Sequence, residues 1–128
     1  MKRKTFFLIA AIIGVLFSVV ILSGPAKMIG NMGGQPCDTT NVVLQVVSVM
    51  LFSMAVITFL ARNDPGSIAL RAIIIGSIVL HIVSIPVDLI AYQKGIFTKL
   101  SGIIPGQVIH VILAIGFILC LKNLPKNP

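Results

Sequence analysis

The 128-residue chain has little charge, few cysteines and few aromatic side chains that carry a polar group. Charged residues make up 10% of it, tryptophan and glutamate are absent, and there is a single tyrosine. Soluble domains average about 25% charged residues. With 57% hydrophobic residues, the chain lacks the polar surface that would coat a water-soluble particle. A cytosolic enzyme, a secreted domain and a disordered chain are therefore excluded.

The shortage of acidic residues leaves a net charge of +7, from 10 Lys and Arg against Asp38, Asp64 and Asp88. In a soluble protein this balance would suggest nucleic-acid binding, but the chain has neither a folded nucleic-acid module nor an aromatic stacking platform. We expect no nucleic-acid partner. Membrane lipids are the expected partners, since the basic residues mostly flank apolar runs and can contact anionic headgroups.

Long apolar runs dominate the rest of the chain, and four are long enough to cross a bilayer, which takes about 20 residues. They are continuously apolar, which favours helices over the alternating pattern of a barrel. Segments rich in Gly, Pro, Asn and Thr separate them, and Ser67 is predicted to cap the third helix. The sequence predicts a single all-α transmembrane domain, a four-helix bundle over residues 1–128. The predicted spans are residues 6–23, 42–61, 68–92 and 104–121.

The distribution of Lys and Arg predicts that both termini are cytoplasmic, because cytoplasmic segments carry the excess of basic residues. This orientation puts seven basic residues inside and three outside. Arg71 is expected to reach the headgroups, with Asp64 as its candidate partner. The inner residues are Lys2, Arg3, Lys4, Arg62, Arg71, Lys122 and Lys126, and the outer ones are Lys27, Lys94 and Lys99.

Two further features concern the first span and the cysteines. The basic start and apolar run resemble a signal peptide, but the apolar core of about 18 residues exceeds the usual 7–15, which favours an uncleaved span. Cys37 and Cys120 are predicted on opposite sides of the membrane and cannot form a disulfide within the chain. We expect Cys37 to be a free thiol, with pairing to another chain as the alternative.

Polar residues within the spans are the candidate functional residues, because such groups are costly in lipid. In the third span Ser77, His81, Ser84 and Asp88 have helical spacing and share one stripe, which Pro86 interrupts. In the fourth span Gln107 and His110 are three residues apart. Gln45 lies on a short polar stripe of the second span. We predict that these groups converge on one pocket in the outer half of the bundle.

Several chemistries fit such a pocket. Asp88 and His81 could form a proton-handling pair, and His with Gln could hydrogen-bond a quinone carbonyl or a lipid headgroup. His81 and His110 could ligate haem b axially. The predicted depths of His81 and His110 in the membrane differ by roughly 7 Å. This difference nearly vanishes if the third span ends early at Pro86. A purely structural role, in which the polar groups only fix the contacts between helices, stays open.

The end of the first span, Leu22-Ser23-Gly24-Pro25-Ala26-Lys27, resembles the small-Gly-x-x-Lys ending of DoxX-like four-helix membrane proteins. The length and four-span layout are similar too. The resemblance covers this short motif and the architecture, and it transfers no catalytic residue. It implies a bacterial inner-membrane protein associated with redox or quinone-linked complexes.

The leading functional prediction is a small membrane binding or accessory subunit, without a predicted catalytic residue, that holds a lipid-like or quinone-like molecule. A haem b-binding redox subunit and a small proton-coupled transporter are the alternatives. We expect a homo-oligomer or a subunit of a larger complex, because so small a bundle buries little surface within itself. The predicted ligand-binding residues are His81, Asp88, His110, Gln107, Gln45 and Ser84.

Overall fold

The computed structural model describes residues 2–125, and all regular secondary structure in that range is helical. Four of its helices are long and apolar enough to cross a membrane, which confirms the all-α fold with four candidate spans. The helices are α1 (Arg3–Ser23), α2 (Pro25–Asn31), α3 (Asp38–Ala61), α4 (Ile68–Gln93) and α5 (Leu100–Lys122).

Two spans begin four residues earlier than the sequence analysis placed them. Helix α3 starts at Asp38 because Cys37 and Thr40 form a reciprocal capping box, in which the Cys37 amide donates to Thr40 Oγ1 over 2.9 Å. Helix α5 starts at Leu100 and includes Pro105, which we expected in a loop. Proline at this position removes the hydrogen bond to the carbonyl four residues earlier, that of Ser101, which is an exposed residue near the start of the helix.

The short helix α2 lies in a segment that the glycines and prolines led us to expect as a loop. Pro25 occupies its first turn, where the fixed φ of proline suits a helix and its missing N–H costs nothing. Ile29 is buried and anchors the helix to the bundle. The Gly-Pro dipeptide therefore separates two helices without starting a long irregular loop.

The four long helices form two tightly packed pairs, α1 with α3 and α4 with α5. Small residues allow α1 and α3 to approach closely, and a Cβ added at Gly14 would lie 2.9 Å from Ala55 Cβ. Most large apolar side chains elsewhere on the four helices are exposed. In a membrane protein this is the surface that lipid or another subunit covers.

The two pairs meet at the end of the bundle where α1 begins and α5 ends, which we call the terminal end. Phe6 and Phe7 of α1 contact Phe117 of α5 in edge-to-face geometry, with ring centroids 5.0 and 5.7 Å away. Leu70 and Ile74 of α4 are fully buried in the same core. We call Phe6, Phe7 and Phe117 the phenylalanine cluster.

Hydrogen bonds to backbone carbonyls join separate segments of the chain at both ends of the bundle. At the terminal end the Arg3 guanidinium donates to the Asp64 carbonyl, and that of Arg71 donates to the Pro125 carbonyl. Asp64 is therefore not the partner that Arg71 was expected to have. At the opposite, distal end, the Met32 carbonyl accepts hydrogen bonds from the Thr98 and Lys99 amides over 3.0 and 2.9 Å.

The turn before α4 is built as the sequence indicated. Ser67 Oγ accepts a hydrogen bond from the Leu70 amide over 3.1 Å and caps the helix. The Asp64 carboxylate accepts from the Ser67 amide and hydroxyl and from the Gly66 amide over 2.7–2.8 Å. These bonds, those of Ser67 foremost, lower the pKa of Asp64.

The glycine beside the phenylalanine cluster yields a stability prediction. A Cβ at Gly116 would overlap the Phe6 ring, so Gly116→Ala should destabilise the protein by about 1–3 kcal/mol through overpacking. Gly76→Ala is the matched control, because a Cβ there meets no heavy atom within 4 Å. Thermal unfolding in detergent checks this, and equal melting temperatures for the two variants would contradict it.

The cysteines allow a test of the predicted orientation. Cys37 is exposed at the distal end, and its hydrogen bond from the Thr40 side chain lowers the pKa of the thiol and favours the reactive thiolate. We expect an impermeant maleimide to label Cys37 in intact cells and to leave buried Cys120 unlabelled. A cysteine introduced by Asn63→Cys in a Cys37→Ser background should react only after permeabilisation. The reverse pattern would place the termini outside.

Candidate functional site

The polar stripe of α4 faces α5, and its histidine is in direct contact with the histidine of that helix. His81 Nδ1 lies 2.9 Å from His110 Nδ1, and the ring centroids are 5.2 Å apart. His81 is buried and His110 is partly exposed. Because each neutral imidazole has one donor and one acceptor nitrogen, this contact requires the two rings to adopt different tautomers.

The histidine pair lies near the middle of both helices, deeper than the outer half where the sequence analysis placed it. His81 comes twelve residues before the end of α4, and His110 comes ten residues after the start of α5. The expected depth mismatch disappears because α5 begins early. The similar depth of the two histidines does not depend on an early end of α4 at Pro86, because α4 continues through that proline to Gln93.

A second polar contact joins the same two helices closer to the distal end. Gln107 Nε2 donates a hydrogen bond to Asp88 Oδ2 over 2.6 Å, and both side chains are partly exposed. The other amide atom, Gln107 Oε1, is buried and has no hydrogen-bond partner among residues 2–125. An unpaired acceptor in a buried position is costly, so it marks a place where a donor would bind favourably.

Two other predicted site residues do not bond to this group. Ser84 is on the stripe of α4, but its hydroxyl donates to the Leu80 carbonyl of its own helix over 2.7 Å. Gln45 is exposed on α3, the helix that packs mainly on α1. The structure therefore brings together His81, His110, Asp88 and Gln107. We call these four residues the α4–α5 polar site.

Phe117 is a neighbour of the site that the sequence analysis missed. Its ring stacks on His81 with a centroid distance of 5.9 Å and an interplanar angle of 16°. Phe117 also belongs to the phenylalanine cluster, so apolar rings close the terminal side of the histidine pair. Its position seven residues after His110 places it on the same helix face, and this spacing is the signal that would have found it.

The geometry of the histidine pair does not fit axial haem ligation. Two axial imidazoles bind iron from opposite faces of a macrocycle, and at about 2 Å per bond their nitrogens lie about 4 Å apart. In this structure the two Nδ1 atoms are 2.9 Å apart, with no space for a porphyrin between the rings.

No family model, curated protein or solved structure matches the chain. The resemblance to DoxX-like proteins is thus a prediction from the junction of α1 and α2 and from the layout. The fold itself defines the class as an all-helical integral membrane protein with four candidate spans. Its distinguishing feature is a polar contact surface between α4 and α5.

The histidine contact predicts energetic coupling between the two side chains. In a double-mutant cycle of His81→Ala and His110→Ala, we expect a coupling of about 0.6 kcal/mol, with about 1.7 kcal/mol as an upper value for such bonds. His81→Ala should cost more than His110→Ala, because it also removes the stacking on Phe117.

Unfolding in mixed micelles measures this coupling. The matched control is the cycle of Ser84→Ala and His110→Ala, which should be additive because Ser84 bonds to its own helix. Additive effects in the histidine cycle as well would show that the two rings do not interact.

Proposed function

We propose that the protein is a small membrane binding or accessory subunit that holds a lipid-like or quinone-like molecule at the α4–α5 polar site. The observation that carries the proposal is the pair of interhelical contacts, His81 with His110 and Asp88 with Gln107. They place hydrogen-bonding groups at two levels of one helix interface, in a part of the chain that is otherwise apolar.

The exposure of the site supports a ligand that approaches from the bilayer. Asp88, Gln107 and His110 are only partly buried, while nearby apolar side chains such as Val87 and Val108 are exposed. A molecule with a polar head and an apolar tail satisfies both surfaces: the head binds the amide, carboxylate and imidazole groups, and the tail lies along the aliphatic side chains.

The exposed apolar surface supports assembly with other subunits. Only 17–33% of the most apolar window of each long helix is buried within the chain, so most of the contact-forming surface is available to lipid or protein. In this proposal the protein forms a homo-oligomer or is a subunit of a larger membrane complex. The DoxX-like resemblance favours a bacterial inner membrane and a quinone-linked complex.

Proton-coupled transport is the second candidate, and the histidine contact favours it. Two imidazoles joined through Nδ1 can pass a proton by exchanging tautomers, and Asp88 lies two helical turns closer to the distal end. The phenylalanine cluster lies on the other side of the pair.

Native mass spectrometry of gently solubilised protein tests the leading proposal. We expect an added mass that matches a quinone or a lipid, and we expect Gln107→Leu to lose it. Gln45→Leu is the matched control and should retain the mass, because Gln45 lies on α3 away from the site. Protein that carries no molecule, or one that both variants retain equally, would contradict the proposal.

Liposome measurements separate the transporter from the binding subunit. If the protein couples transport to protons, reconstituted protein should show pH-dependent uptake that Asp88→Asn abolishes, since the amide cannot accept a proton at neutral pH. A pH-sensitive dye inside the vesicles reports the flux. Flux that is equal in the wild type, in Asp88→Asn and in empty vesicles would remove this candidate.

A further inference from the structure

The hydrogen-bonding pattern at Asp88 and Gln107 restricts the chemistry of a molecule that can bind beside them. The Gln107 amide donates through Nε2 to Asp88 Oδ2. This contact identifies Nε2 as the amide atom that meets the carboxylate, and the amide oxygen Oε1 is buried without a partner among residues 2–125. Three groups are left over at this contact: two acceptors, which are the buried amide oxygen and the second carboxylate oxygen, and one donor, which is the second N–H of Nε2.

We infer that the head group bound at the α4–α5 polar site carries a hydroxyl that donates a hydrogen bond to Gln107 Oε1. A phenol, a hydroquinone or a lipid alcohol has this group. A quinone carbonyl, an ether or an ester offers only acceptors, so it can accept from the second N–H of Gln107 Nε2 but leaves the buried Oε1 unpaired. The inference rests on the proposed function, since it names the ligand class for the same site.

The histidines do not change this selectivity. Their Nδ1 atoms are occupied by each other, and the remaining Nε2 atoms of a neutral pair comprise one donor and one acceptor. The pair can therefore accommodate either a hydroxyl or a carbonyl. Discrimination between the two must come from Gln107 and Asp88.

Two pairs of probes differ only in the hydroxyl group. The first pair is a long-chain alkylphenol and its methyl ether, and the second is a diacylglycerol and the corresponding triacylglycerol. Binding of each probe to the full chain in detergent is measured by native mass spectrometry at neutral pH. We expect the hydroxyl member of at least one pair to bind about tenfold more tightly, the usual effect of one buried hydrogen bond. The pair that discriminates tells whether the natural source is aromatic or a lipid.

Asp88→Asn provides the most direct variant because it preserves the shape of the side chain. The new amide can accept from Gln107 Nε2 through Oδ1 and donate to Gln107 Oε1 through Nδ2. The two amides then satisfy each other, and the preference for the hydroxyl probe should fall to about onefold. Gln107→Leu should also abolish the preference, and Gln45→Leu, the matched control on α3, should retain it. Circular dichroism confirms that each variant is folded.

The outcomes distinguish the inference from the proposal beneath it. A hydroxyl preference in the wild type and Gln45→Leu that is lost in Asp88→Asn supports the inference. If both members of each pair bind equally to the wild type, or if Asp88→Asn keeps the preference, the inference is wrong while the binding function stands. If no probe binds, both the inference and the proposed function are wrong.

Discussion

The absence of water around the four long helices is the constraint on which the rest of the structure depends. Within a bilayer a polar side chain has to find its partner in the protein, either in its own helix or in a neighbour. Five hydroxyl side chains bond within their own helix and donate to carbonyls three or four residues earlier. They are Ser48, Ser53, Thr58, Ser77 and Ser84. The four residues of the α4–α5 polar site instead bond to a neighbouring helix, and their contacts fix the rotation and register of α4 and α5.

The same constraint explains why apolar contacts form the core where the two helix pairs meet at the terminal end. Aromatic rings give large contact areas and preferred edge-to-face geometry, which remain favourable when water is absent because they depend on dispersion and ring electrostatics. Phe117 links the apolar core to the polar site, since its ring makes edge-to-face contacts with the α1 phenylalanines and also stacks on His81. A change in α1 can thus reach the histidine pair through a single side chain.

Much of this architecture could be predicted from the sequence, because hydropathy and spacing are local properties. The four spans, the cap at Ser67 and the stripe containing His81 and Asp88 all follow from them. The depth of the histidine pair could not be predicted, since it depends on where α5 starts, and Pro105 with its neighbouring glycines suggested a loop there. The exclusion of Gln45 could not be predicted either: polarity alone does not tell which helix packs on which, and α3 packs on α1.

The contact between Phe6 and Gly116 has a consequence for how the protein is made. These residues are far apart in the chain, so α1 cannot make this contact until α5 has been synthesised. The α1–α3 pair can associate earlier, but during that interval Phe6 and Phe7 lack their contacts with Phe117. Insertion of α5 is therefore the step that completes the core.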